Sequence, residues 1–127
     1  MKLILVKYVS VIITLAFVTY GQLVLKYEVN KFNLKPSGSL SDLAVFFSKL
    51  LMNVGVLSGL AAAVVAAFAW LYAINKFQLS AVYPLLSINF ILVPLLSVFL
   101  FNEEINVYKG VGILVIVLGI LVFSKGV

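Results

Sequence analysis

Two small groups of polar side chains stand out in a chain that is otherwise apolar. Gln22 and Lys26 are four residues apart, so a helix places them on one face, one turn from each other. They offer an amide and a cation at a helix end. Tyr83 and Ser87 are also four apart and share a face, with Asn89 roughly opposite on an ideal helix. A phosphate at a membrane edge calls for a cation and hydrogen-bonding groups. Lys26, with Lys7 as the next cation, would supply the first, and Gln22, Tyr83, Ser87 and Asn89 the second. Each has a plainer reading beside it. Lys26 can be an anchor whose ammonium snorkels to the interface, and Asn89 can be glue between helices.

The elements that position these groups are apolar spans. Residues 50–75 and 77–102 are two runs of 26 residues without a charge. A bilayer core of roughly 30 Å needs only about 20 apolar residues in a helix. The chain of 127 residues is 65% hydrophobic and 10% charged, more apolar surface than a soluble domain of this size can hide. The expected fold is an all-α membrane domain, one unit over residues 1–127, with spans near 5–25, 53–75, 80–101 and 107–123. Pro36 and Gly38 break the segment after the first span, and residues 27–40 are expected as loop. Ser41 is the expected N-cap of a short interfacial helix over residues 43–51, anchored by Phe46 and Phe47. Lys2 followed by an apolar run looks like a signal peptide, but the run is long and no small-residue cleavage site follows, so an uncleaved span is expected.

Absences narrow the chemistry. There is no His, Cys or Arg, and the four acids, Glu28, Asp42, Glu103 and Glu104, are expected at span edges. Proton-coupled transport generally uses a carboxylate inside a span, and none is expected there. No metal-ligand cluster, phosphate loop or nucleophile–base pair is present, so no cofactor and no enzymatic activity are expected. The net charge of +5 suits anionic lipid headgroups, whereas nucleic acid is a poor partner because the lysines are scattered between spans. Lysines divide four against five across the expected topology, which fixes no orientation.

The spans carry packing signals. Gly55, Gly59, Ala63 and Ala67 form a ladder of small residues that admits a close neighbour. Lys7, Ser10, Thr14, Val18, Gly21 and Gln22 make a stripe expected to face the interior or a cavity, with Ser10 and Thr14 bonding between helices. Pro94 deprives the Phe90 carbonyl of its donor and predicts a kink in span 3. Gly112 and Gly119, seven apart, lie on one seam of a helix pair, either inside the fold or between two copies.

The segments GQLVLK (21–26), AVYPLLSINF (81–90) and FNEEIN (101–106) resemble the drug/metabolite transporter superfamily. Gly112 and Gly119 sit where its small multidrug resistance family keeps dimerising glycines on helix 4. The likeness is strongest to the small subunits of the 4-amino-4-deoxy-L-arabinose-phosphoundecaprenol flippase, through Gly21, Gln22, Leu23 and Lys26, then Tyr83, Pro84, Leu86, Ser87, Asn89 and Phe90, then Glu103. Two departures stand beside it. Val18 occupies the position where the drug exporters hold a helix 1 Glu, and Glu104 stands where the flippase subunits have Pro. The resemblance implies a flippase, or one subunit of it, that moves a polyprenyl-phosphate-linked sugar across the bacterial inner membrane as a homodimer or a heterodimer with a paralogue. In that reading Pro84, Pro94 and Glu103 are structural or gating residues. The alternatives are a cation exporter, against which Val18 argues, and a non-transporting membrane subunit of a glycan-assembly complex.

Overall fold

The computed structural model describes residues 2–32 and 39–126, with side chains from Tyr8 onward. Pro36 and Gly38, and the side chain of Lys7, lie outside the described residues. Six helices follow one another: α1 (Lys2–Phe32), α2 (Leu40–Leu51), α3 (Val54–Lys76), α4 (Leu79–Leu86), α5 (Asn89–Phe101) and α6 (Val107–Ser124). Four stretches are long and apolar enough to cross a membrane: Tyr8–Phe32, Val54–Lys76, Leu79–Phe101 and Val107–Ser124. The third is α4 and α5 together. The all-α membrane fold expected from sequence is therefore the fold observed, with the shorter α2 between the first two spans.

The first helix is longer than expected. Its 31 residues extend about 46 Å, and Tyr27–Phe32 continue the helix where a loop was expected. No breaker occurs before Pro36, and the last turn is held by Lys31, which lies 4.3 Å from the Tyr27 ring centre and 3.5 Å from Glu28 Oε1. One consequence corrects the expectation about acids. Glu28 lies within α1, its side chain only 12% exposed, packed over Gly55 of α3.

The helix α2 also begins earlier than expected. Ser39, not Ser41, is its N-cap, and its hydroxyl accepts from the Asp42 amide at 3.3 Å. Ser39 has the extended backbone a cap needs, whereas Ser41 is already helical. Leu43, Phe46 and Leu50 are the least exposed residues of α2 and fall on one face, the amphipathic pattern of an interfacial helix.

The most extensive packing is between α1 and α3. Gly21 and Gly59 meet there, and a Cβ on either would come within 3.1 Å of the other helix. The buried seam of α3 runs Val56, Gly59, Ala62, Ala66 and Ala73, not Gly55, Gly59, Ala63 and Ala67. The reason is the helical period. Steps of four drift by about 40° each, whereas alternating steps of three and four stay on one seam. Ala63 and Ala67 are turned out of the seam and are exposed. On α1, Ser10, Val11, Thr14, Leu15 and Thr19 are buried. Thr14 does not bond between helices as expected; its hydroxyl donates to the Ser10 carbonyl of its own helix at 2.9 Å. The apolar centre gathers Val11, Leu15, Ala73 and Val82, with Trp70 and Phe77 against them.

The third span is interrupted at Ser87–Ile88, while α5 runs helically through Pro94. The expected disruption thus falls one turn after Pro84 rather than at Pro94. Pro84 has no N–H for the preceding turn. The Ser87 hydroxyl also donates to the Pro84 carbonyl. The Ile88 amide turns instead to the Leu85 carbonyl at 3.3 Å, and the Ser87 amide bonds Pro84 at 3.1 Å. These tighter bonds wind about 20° more per residue than an α-helix does.

At the end of α5 the chain turns through Asn102, which has φ 52 and ψ 39, the left-handed region. Asn and Gly enter that region at least cost. Asn102→Gly is expected to leave thermal stability nearly unchanged, and Asn102→Val to lower it by about 1–2 kcal/mol, both measured as unfolding of the full chain in micelles. Asn106 then caps α6, its side chain accepting from the Lys109 amide at 2.9 Å.

Candidate functional site

The interruption at Ser87–Ile88 decides which side chains face together. On an unbroken helix Asn89 would point away from Tyr83 and Ser87. Instead all three line one cleft of about 700 Å³, with Gln22, Pro84, Leu86, Phe90, Val93 and Pro94. The extra winding at the break brings Asn89 round to the same side. Four of the six predicted substrate-binding residues, Gln22, Tyr83, Ser87 and Asn89, thus meet on one wall between α1 and the broken span.

Each is held in place. Tyr83 packs edge-on against Trp70, with ring centres 5.5 Å apart. Asn89 accepts a hydrogen bond from Thr19 Oγ1 at 2.9 Å, which ties α1 to the start of α5. Its amide NH₂ remains able to donate into the cleft. Ser87 spends its proton on the Pro84 carbonyl, so toward a ligand it can only accept. Sequence reading missed Thr19. Its one signal was a hydroxyl within an apolar run, which needs a partner in a membrane.

A second cavity of about 420 Å³ shares Gln22, Phe90, Val93 and Pro94 with the first, so the two adjoin. This part carries the charges: Lys26, Glu103, Glu104 and Lys109 line it, beside Ser97. Lys26 Nζ is ion-paired with Glu103 Oε1 and lies 5.0 Å from the Phe101 ring centre. The other Glu103 oxygen accepts from Ser97 Oγ at 3.1 Å, a proton that Ser97 shares with the Pro94 carbonyl at 2.9 Å. Ser97 is buried. The two oxygens of Glu103 therefore have separate partners on α1 and α5. Lys26 is no isolated cation at a helix end, as the sequence suggested; it has an anion against it, and the pair is a little over a third exposed. The Lys109 ammonium donates to the Glu104 carbonyl at 3.2 Å. The Glu104 carboxylate forms no ion pair among the described residues.

A third cavity of about 400 Å³ lies between α1 and α3 and is lined by Thr14, Val18, Gln22, Ala63, Ala67 and Trp70, among others, including Tyr83 and Asn89. Gln22 borders all three cavities. Gly112 borders the charged cavity, but a Cβ on Gly112 or Gly119 would meet nothing within 4 Å. No residue of α6 is buried.

Four apolar spans around a polar and charged cleft with apolar walls define a multi-pass membrane protein built to admit an amphipathic solute. The chain matches the EamA-like transporter family over residues 3–125 and belongs to it. It is 32% identical over 124 residues, 93% of this chain and 96% of the relative, to the probable 4-amino-4-deoxy-L-arabinose-phosphoundecaprenol flippase subunit ArnF of Photorhabdus laumondii subsp. laumondii. It is 34% identical to the ArnF subunit of Aeromonas hydrophila subsp. hydrophila, over 88% of this chain and 75% of that one. With the ArnE subunit of Proteus mirabilis identity is 47%, over 43% of this chain and about half (49%) of the relative. No solved structure matches the chain.

Proposed function

We infer that this chain is a non-enzymatic subunit of a flippase that carries a polyprenyl-phosphate-linked sugar across the bacterial inner membrane. The observation that carries this reading is the graded cleft. Its charged end holds Lys26, Glu103 and Lys109, its middle holds Gln22, Tyr83, Ser87 and Asn89, and its walls are Leu86, Phe90, Val93 and Pro94. A polyprenyl phosphate sugar has the same order of parts: an anion, hydroxyls and an apolar tail. Lys26 receives the phosphate and the amide and hydroxyl groups receive the sugar, with the tail left toward lipid. Lys7 stands as a further cation of the site. Near-full-length similarity to named flippase subunits supports the same reading. Val18, on the inner cavity, is apolar and has no proton to exchange for a cation, which speaks against proton-coupled drug export.

The test is reconstitution of the full chain in vesicles, alone and with its paralogue, with a short-chain polyprenyl phosphate sugar in one leaflet. Translocation above protein-free vesicles supports the reading. None in either arrangement would leave a role as a non-transporting subunit.

A dimer belongs to this proposal, homo- or heteromeric, with the paired naming of ArnE and ArnF subunits favouring a paralogue. Helix α6 is the proposed seam, because it is unburied and Gly112 and Gly119 open onto free space. Replacing both glycines by Leu keeps a partner helix at a distance. The expected outcome is loss of the dimer in cross-linking and light scattering, with the helical content of the protein unchanged. An unaltered association state would move the seam elsewhere.

A further inference from the structure

We propose that the Lys26–Glu103 pair reads a zwitterionic headgroup, with Lys26 taking the phosphate and Glu103 taking a cationic amine on the sugar. The inference rests on the flippase reading and adds the substrate class, an amino sugar, and the residue that selects it.

The argument starts from what a phosphate finds in this cleft. Lys26 is already neutralised by Glu103, and Glu103 is fixed through its other oxygen by the buried Ser97. A headgroup that carries only negative charge can take Lys26 only by stripping it from Glu103. That leaves a partly shielded carboxylate with a single hydroxyl partner and sets it beside a phosphate. Unpaired charge in such surroundings is costly, and like charges add to the cost. A headgroup that carries both charges removes the difficulty. Its phosphate replaces the carboxylate on Lys26, and its ammonium replaces the lysine on Glu103. One ion pair is exchanged for two, and no charge is stranded.

The surroundings suit this exchange. Both side chains line the charged cavity and are a little over a third exposed, so they are reachable by a ligand. They come from different elements, α1 and the turn after α5, so opening the pair needs only side-chain movement. The Ser97 hydroxyl keeps the carboxylate pointing into the cavity when Lys26 leaves. Gln22 borders both this cavity and the adjoining one with Tyr83, Ser87 and Asn89, which places sugar-binding groups next to the charges. A plain phosphate site has no use for Glu103 at this position; a site for an amine does.

The test compares two lipids on the full-length protein in nanodiscs. The first is a short-chain polyprenyl phosphate carrying a 4-amino pentose, and the second is the same lipid with the amine formylated. Wild-type protein is expected to bind the amino lipid about tenfold or more tightly, a preference that shrinks as salt is raised. In Glu103→Gln the two lipids should bind alike, whereas Lys26→Gln should weaken both. Thermal unfolding of each variant checks that it is folded, and the wild-type comparison needs no variant at all. Equal wild-type affinity for the two lipids would overturn the amine assignment and leave the flippase reading standing. A preference that survives in Glu103→Gln would also overturn it. Binding of neither lipid by wild type would remove both readings.

Discussion

Lys26→Gln is expected to cut translocation of the lipid-linked sugar about tenfold to a hundredfold in proteoliposomes, with insertion and dimerisation intact. The size follows from the loss of one charge-assisted contact to a phosphate, worth about 1.5–3 kcal/mol. The reading of Lys26 as a simple interfacial anchor predicts near-normal transport, because glutamine is polar enough to hold the interface. The surroundings of Lys26 separate the two. An anchor would extend to the headgroups, but this ammonium is ion-paired with Glu103 and lies over the Phe101 ring, within the cavity. The substitution also leaves Glu103 with Ser97 as its remaining partner, so some stability is lost for a reason unrelated to transport. The double variant Lys26→Gln/Glu103→Gln resolves that ambiguity. It removes the stranded charge and should recover thermal stability without recovering transport. If the double variant transports normally, neither side chain handles the phosphate, and Lys7 or Lys109 becomes the cation to test.

How far the sequence could go is clear from particular residues. The four spans were legible because charge is excluded from lipid, so the uncharged runs mark the helices closely; α3 and α6 begin within a residue of expectation. The turns at Lys76 and Asn102 were legible for the same reason. Pairings across the chain were not. Lys26 and Glu103 are far apart in sequence, and nothing in local periodicity brings the end of α1 to the turn after α5. The Thr19–Asn89 bond was hidden in the same way. Asn89 was placed on the wrong face because an ideal helix was assumed through a segment where Pro84 and Ser87 tighten the backbone. The continuation of α1 past Tyr27 was missed because polar residues there look like loop, although Glu28 packs over Gly55 of the neighbouring helix.

A second large effect is expected on α3, where adjacent small residues do different jobs. Gly59→Leu should destabilise the protein by several kcal/mol or prevent its accumulation in the membrane, about the upper range for overpacking. A Cβ at Gly59 already meets Leu25 Cγ at 3.1 Å and the Gly21 carbonyl at 3.3 Å, and the second of these is backbone that cannot turn aside. The remaining leucine atoms have no room unless α1 and α3 separate, and that contact is the most extensive in the fold. Ala63→Leu is the contrasting change, one turn further along. Ala63 lies outside the seam, is exposed, and borders the inner cavity with Gln22, Tyr83 and Asn89. The larger side chain should leave the unfolding temperature nearly unchanged, because it displaces no packed atom of α1. It should nevertheless obstruct the cavity and depress sugar-lipid transport. The ladder of small residues read from sequence thus divides between Gly59, which lets the helices touch, and Ala63, which keeps the cleft open. The pair is checked by thermal unfolding and vesicle transport on the same preparations. Equal thermal losses in both variants would show that Ala63 is part of the seam, and normal transport in a stable Ala63→Leu protein would show that the inner cavity is not on the route of the sugar.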